Sequence, residues 1–283
     1  MPSTEQLIES VRTALDQFPD ISFAFLFGSA AAGRLRSDSD IDLAIYGSSE
    51  GLEIERDRRL VYETDVQIAV ERATGRNVDL LVLNRAPATV CSAALLHGLP
   101  VVVRNGGLYS RYFLAVTNVA IDFLETAREF RNIRDRSASL SEIDRNRLLR
   151  ILEFINQELK DKSEFETVTH HRYQSDRALR RNLDRWVETL INAGIDVAKI
   201  VLASEHREVP QTYGQILELI EETPPFDTVS GRLRHLAALR NLMAHEYLDL
   251  RFTRVQEFVR NDADTLGELA RVTLEWLESS GGP

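Results

Sequence analysis

GSAAAGRLRSDSDID, Gly28 to Asp42, is the stretch from which the first half of the chain is read. It follows an apolar run, Ile21 to Phe27, and its Gly-Ser pair is followed ten residues on by Asp-x-Asp at Asp40 and Asp42. A strand that ends in Gly-Ser at the start of a helix makes a place for phosphate oxygens. Glycine lets the backbone approach closely, and the unpaired N–H groups of a first helical turn point at an anion. Asp40 and Asp42 are two apart, so on a strand they project from one face. Carboxylates held side by side repel unless a cation lies between them, and Mg²⁺ is a hard ion that takes oxygen ligands.

Gly-Ser and Ser-Asp-Ser-Asp are also common turn formers. Two further observations favour chemistry over a plain turn. Asp42 leads directly into a strand-like run, Leu43 to Tyr46, and Asp79 opens a second short apolar strand, Asp79 to Leu83. A third carboxylate there would complete a metal site from next door. A phosphate cradle beside divalent-metal ligands is what nucleotidyl transfer from a nucleoside triphosphate requires.

Composition sets the outer bounds. The 283 residues suffice for two domains, and 43% hydrophobic with 28% charged residues is the profile of an ordinary globular protein. There is no run of 18 apolar residues, so no membrane span or membrane partner is expected. The N-terminal MPSTEQLIES has neither a basic region nor an apolar core, so no secretory signal is expected. Cys91 is the only cysteine, which suits a reducing compartment, and a cytoplasmic location is expected. The net charge of −10 argues against broad, non-specific nucleic-acid binding. It divides into −4 for residues 1–137 (15 basic, 19 acidic) and −6 for 138–283 (19 basic, 25 acidic). Two local basic segments remain, Arg172 to Arg185 and Arg232 to Arg240. Each could bind nucleic acid or form a solvated helix face.

Periodicity divides the chain. Leu7, Ile8, Val11 and Leu15 mark a helix over 5–17. Strands are expected at Ile21–Phe27, Ile41–Tyr46, Asn77–Leu83 and Pro100–Arg104, with a helix at Pro87–His97. Residues 52–73 read as a long helix, although Val66 to Val70 could open a strand. Strands alternating with helices imply a small α/β domain over a mixed sheet. From Tyr109 the spacings stay near 3.6, at 109–135, 144–162, 173–204, 211–222, 229–247 and 252–278, which implies an all-α bundle. The polar join RSASLSEI, 136–143, places the expected boundary between domains 1–137 and 138–283.

Within the bundle, Arg240-Asn-Leu-Met-Ala-His-Glu-Tyr247 groups a guanidinium, an imidazole and a phenol. Together these can hold a phosphodiester, move a proton and offer a hydroxyl. On a continuous helix Arg240 and Tyr247 share a face, whereas His245 lies about 140° from Arg240 at about 100° per residue. The helix must therefore distort near Ala244, or the site must be assembled across two copies of the chain.

Gly28, Ser29, Asp40 and Asp42 resemble the G-S-x10-D-x-D signature of the minimal nucleotidyltransferases, relatives of DNA polymerase β. The resemblance implies a polymerase-β-like α/β fold in which Asp40, Asp42 and Asp79 bind Mg²⁺ and act in catalysis. Gly28 and Ser29 would hold the triphosphate of ATP. Where many members carry a basic residue before the second glycine this chain has Ala32, and Arg34 is the expected substitute, with Arg36 also near. The string Arg240 to Tyr247 resembles the R-N-x-x-x-H-x-Y motif of HEPN domains, specifically HepT-like toxins, from about Asp144 through Arg177–Leu183 and Val209-Pro210. That resemblance implies an all-α HEPN bundle, usually a homodimer, that cleaves RNA (tRNA is the family expectation) without metal. Arg240 would hold the scissile phosphate, His245 would act in acid–base chemistry and Asn241 would shape the motif. In such systems an MntA-like antitoxin transfers AMP from ATP to the motif tyrosine, which corresponds to Tyr247. The expectation is therefore a fused toxin–antitoxin protein. The alternative is an aminoglycoside-type small-molecule nucleotidyltransferase with a helical substrate domain.

Overall fold

The computed structural model describes residues 3–33, 39–48, 51–56, 58–229, 233–245 and 248–279, without the side chains of Leu242, Ala244, His245 and 248–250. The chain forms two compact units, Met1–Asp122 and Phe123–Pro283. Their division falls inside helix Gly106–Arg136, upstream of the polar join.

In the first unit, α1 (Thr4–Leu15) opens on a reciprocal cap. The Ser3 hydroxyl accepts from the Gln6 N–H, and the Gln6 carboxamide accepts from the Ser3 N–H. Its stripe of Leu7, Val11, Ala14 and Leu15 is buried. Then follow β1 (Ile21–Leu26), α2 (Gly28–Ala31), β2 (Ile41–Gly47), α3 (Glu63–Thr74), β3 (Val78–Val82), α4 (Ala88–His97), β4 (Leu99–Val103) and the start of α5 (Gly106–Arg136). The sheet runs in the order β3-β2-β1-β4, with β2 and β3 parallel and the other pairs antiparallel. It is the expected small mixed sheet.

Every residue of β1 is buried because both sheet faces are covered. One face packs with Leu7, Val11 and Leu15 of α1 and Val66 and Val70 of α3. The other packs Phe23, Phe25 and Tyr46 against α4 and Tyr112 of α5. The Phe23 and Tyr46 rings stack at 4.7 Å. Two buried faces explain why β1 reads as an unbroken apolar run.

The long helix expected at 52–73 is shorter, beginning at Glu63. Tertiary contacts hold the preceding segment out of helical conformation. The Glu53 carboxylate accepts from Asn84 and Arg58, and its N–H donates to the Tyr46 hydroxyl. The Glu55 backbone is left-handed at φ 55°. The Glu63 carboxylate caps the Leu60 N–H where the helix starts. Val66 and Val70 lie one turn apart on the buried face of α3, so they belong to a helical stripe.

Among the described residues of the second unit the regular elements are all helices: the remainder of α5, then α6 (Glu142–Glu158), α7 (Lys162–Glu166), α8 (His170–Ser175), α9 (Arg177–Ser204), α10 (Tyr213–Glu221), α11 (Leu236–His245), α12 (Leu248–Glu257) and α13 (Ala263–Ser279). The central helix α9 packs closely on α13. A Cβ at Gly194 would lie 2.6 Å from a Leu266 methyl. Two expected helices are interrupted. Residues 173–204 break at Asp176, whose carboxylate accepts from the Ala178 and Leu179 N–H groups and caps α9. Residues 252–278 contain a π-helical turn, Phe258–Asp262, with Val255, Phe258 and Val259 all buried. No helix among the described residues is long and apolar enough to cross a membrane.

Candidate functional site

In the first unit the Gly-Ser pair and the Asp-x-Asp pair are brought into direct contact. Gly28 takes φ 61°, and a Cβ there would lie 2.1 Å from Asp42 Oδ2. Both constraints require glycine. The Ser29 N–H donates to the Asp42 carboxylate, and the Phe27 N–H donates to the Asp42 carbonyl at 3.0 Å. The close approach permitted at Gly28 is thus used first by a carboxylate of the chain itself. The α2 helix that follows spans only four residues.

Asp79 is the register partner of Asp42 on the neighbouring parallel strand, so the two project from the same face of the sheet. Asp40 lies just before β2, exposed, with Oδ1 accepting from Asn77 Nδ2 at 3.2 Å. The same segment is pinned by the Ile41 N–H to the Asn77 carbonyl and by Arg76 to the Ser39 carbonyl. Asn77 and Arg76 position Asp40, and nothing in the local pattern singled them out. Arg34 lies outside the described residues.

Electrostatics mark Asp42 within this group. Partial burial pushes its carboxyl above the usual carboxylate range. The Ser29 N–H pulls the other way, and the charges of Asp79 and Asp40 push it further up. Among the described residues no cluster of three or more His, Cys, Asp or Glu side chains is drawn together as a metal-holding group. The donor chemistry nevertheless fits a hard divalent cation. The oxygens are carboxylate, and their mutual repulsion raises the proton affinity of Asp42, a cost that Mg²⁺ would relieve.

In the second unit α11 runs from Leu236 to His245, and residues 246–247 that follow lie outside the described residues, so the choice between a distorted helix and a site assembled across two copies falls on residues that are not described. Tyr247 and the His245 side chain lie outside the described residues. Arg240, half-buried, has its guanidinium carbon 3.9 Å above the centre of the Tyr213 ring. Its Nε donates to Asn192 Oδ1 at 3.3 Å, and its Nη1 reaches Asn241 Oδ1 at 3.5 Å. Asn241 is buried. Tyr213 is itself fixed edge-to-face by Phe123 at 5.1 Å and by a hydroxyl contact with Thr126 at 3.2 Å. The guanidinium plane is therefore set by an aromatic floor and an amide on one side. Asn192 and Tyr213 were not found from the sequence. They are 48 and 27 residues from Arg240, and only the packing of α9 and α10 on α11 assembles them.

Comparison with known proteins agrees with this division. Residues 9–106 match the family model for polymerase beta nucleotidyltransferases, and residues 148–272 match that for ribonuclease HepT-like proteins. The chain thus carries a polymerase-β-type nucleotidyltransferase domain followed by a HepT-like ribonuclease domain. No curated protein matches it. Among solved structures, a chain from "Crystal structure of the toxin-antitoxin with AMP-PNP" is similar over 43% of this chain and 92% of its own, at 19% identity and a TM-score of 0.36.

Proposed function

We propose that the chain is a toxin–antitoxin fusion in which the nucleotidyltransferase domain transfers AMP from ATP to Tyr247 and thereby silences RNA cleavage by the HepT-like domain. The observation that carries this reading is the presence of both sites on one polypeptide. One unit holds Gly28 against Asp42 with Asp79 in register, and the other holds Arg240 in a fixed orientation.

In the transferase domain, Gly28 and Ser29 form the turn that receives the triphosphate, with Arg34 as a further contact. Asp40, Asp42 and Asp79 would hold Mg²⁺, which when bound would neutralise charge on the phosphates. The Tyr247 phenol gives up its proton and forms an ester with the α-phosphorus, and the bond to pyrophosphate breaks. Tethering raises the local concentration of the tyrosine to about millimolar, so a tight docking surface is not needed.

In the HepT-like domain, Arg240 holds the scissile phosphate of RNA, possibilities of rotation being removed by Tyr213 and Asn192. His245 serves in acid–base chemistry. Two copies pair through the helical domain so that their motifs act together. An AMP group on Tyr247 adds bulk and negative charge near Arg240 and competes with an RNA phosphate for the guanidinium.

The test is intact mass of the full chain before and after incubation with ATP and Mg²⁺, alongside Asp40→Asn/Asp42→Asn and Tyr247→Phe variants. AMP-sized increments that need the aspartates and vanish with Tyr247→Phe are expected. An increment that survives Tyr247→Phe would refute the target. Turnover of ATP only when an aminoglycoside is added would move the function to small-molecule transfer.

A further inference from the structure

A groove of about 380 Å³ runs between α6 and α9 on the helical unit, and it ends beside the Arg240 site. Arg150 and Phe154 line it from α6 with helical spacing, and Arg185, Thr189 and Asn192 line it from α9 on one helix face. Asn192 belongs to both places: it walls the groove and accepts the hydrogen bond from Arg240 Nε.

The chemistry of this groove differs from that of the chain as a whole. The protein carries a net charge of −10, yet three arginines and one carboxylate line the groove. Arg147 is engaged by Glu129 and Asp196. Among the described residues Arg185 is paired with Glu188, in a contact whose side chains are 71% and 44% exposed. Such a pair is too weak to hold the guanidinium from another anion. Arg150 is exposed and has no ion-pair partner among the described residues. Phe154 is 38% exposed, an aromatic face set between cationic side chains. Arg181 is exposed one turn before Arg185 and continues the basic stripe along α9.

From this the geometry points to a single-stranded RNA track: Arg150 and Arg185 contact successive backbone phosphates, Phe154 stacks a base, and Asn192 marks where the strand passes to Arg240. Cationic side chains alternating with an aromatic face are how single strands are held without sequence preference. The inference rests on the ribonuclease reading above, and it names residues outside the Arg240 to Tyr247 string that hold the substrate.

The experiment is fluorescence anisotropy of a 5′-labelled, unstructured RNA oligonucleotide with the full chain, over a series of salt concentrations. It compares the wild type with Arg150→Gln/Arg185→Gln, Phe154→Ala and Arg240→Gln, with cleavage and light-scattering mass measured on the same samples. The double arginine variant should bind at least about tenfold more weakly, with the salt slope reduced by about 0.7 for each lost phosphate contact. Phe154→Ala should weaken binding about tenfold with the slope unchanged. Unaltered affinity and slope in the double arginine variant would overturn the track. So would a fall from dimer to monomer with affinity per chain unchanged, which would make the groove a contact between copies. Failure of the ribonuclease reading looks different: cleavage is then absent or insensitive to Arg240→Gln, whatever the binding data show.

Discussion

A Cβ added to Gly28 would lie 2.1 Å from the Oδ2 of Asp42, so the Gly-Ser turn and the Asp42 carboxylate form one structural unit. Gly28→Ala therefore carries two penalties. The left-handed φ of 61° costs about 1–2 kcal/mol for a residue with a side chain, and the Asp42 carboxylate must also move. On the proposed role of Asp42 as a metal ligand, displacing its oxygen by about 1 Å should slow AMP transfer about 100-fold. The check is the rate of AMP incorporation by mass spectrometry, with circular dichroism showing that the fold persists.

Asp42 links stability to pH with a defined sign. Its folded carboxyl binds a proton more tightly than the unfolded one, because of burial and the neighbouring Asp79 and Asp40 charges. The associated stability is present below the unfolded pKa and is lost as pH rises through the raised folded value. At neutral pH without divalent cations, Asp42→Asn should therefore melt above the wild type. Adding Mg²⁺ should raise the wild type and leave the variant unmoved. Differential scanning fluorimetry with and without Mg²⁺ reads both arms.

Tyr213 forms the floor under Arg240, 3.9 Å from the guanidinium carbon. Replacing it by leucine removes a cation–π contact worth about 1–2 kcal/mol when partly desolvated. In a chain carrying Asp42→Asn, so that Tyr247 stays unmodified, Tyr213→Leu should lower RNA cleavage about tenfold. Tyr213→Phe keeps the ring and should stay within about twofold. Single-turnover cleavage of both variants distinguishes a positioning role from a general loss of packing.

His235 ties the approach to α11 to the π-helical turn through Asp262, 2.9 Å from its Nε2. That bond, with the Asp262, Glu221 and Glu257 charges, raises the imidazole pKa above 6.5 against partial desolvation. The stabilisation is complete below 6.5 and is lost as pH rises through the raised folded value. Because the side chain is 51% exposed, solvent screening keeps the pair below about 1 kcal/mol. The melting temperature should fall by about 2–4 °C or less between pH 6 and pH 8.5, and His235→Gln should flatten that dependence. Equal slopes for the two proteins would exclude the pair as its source.

The sequence alone determined what depends on short spacing. The four strands of the first unit, the capped α1 and the helical character after Tyr109 follow from period-2 and period-3.6 patterns and local caps, which neighbouring residues decide between themselves. That Gly28 and Ser29 lie against Asp42, with Asp79 beside it, was legible for the same reason, since a glycine turn and carboxylates at the start of short strands are local features, whereas Asp40 stands just outside β2. Tertiary structure decided the rest, where a distant partner outcompetes local preference. Asn84, Tyr46 and Arg58 hold Glu53, and with it the described residues before Glu63, out of the expected helix. Asn77 fixes Asp40 across a strand pairing 37 residues away. Asn192 and Tyr213 orient Arg240 only because α9 and α10 pack on α11, a juxtaposition that no periodicity along the chain encodes.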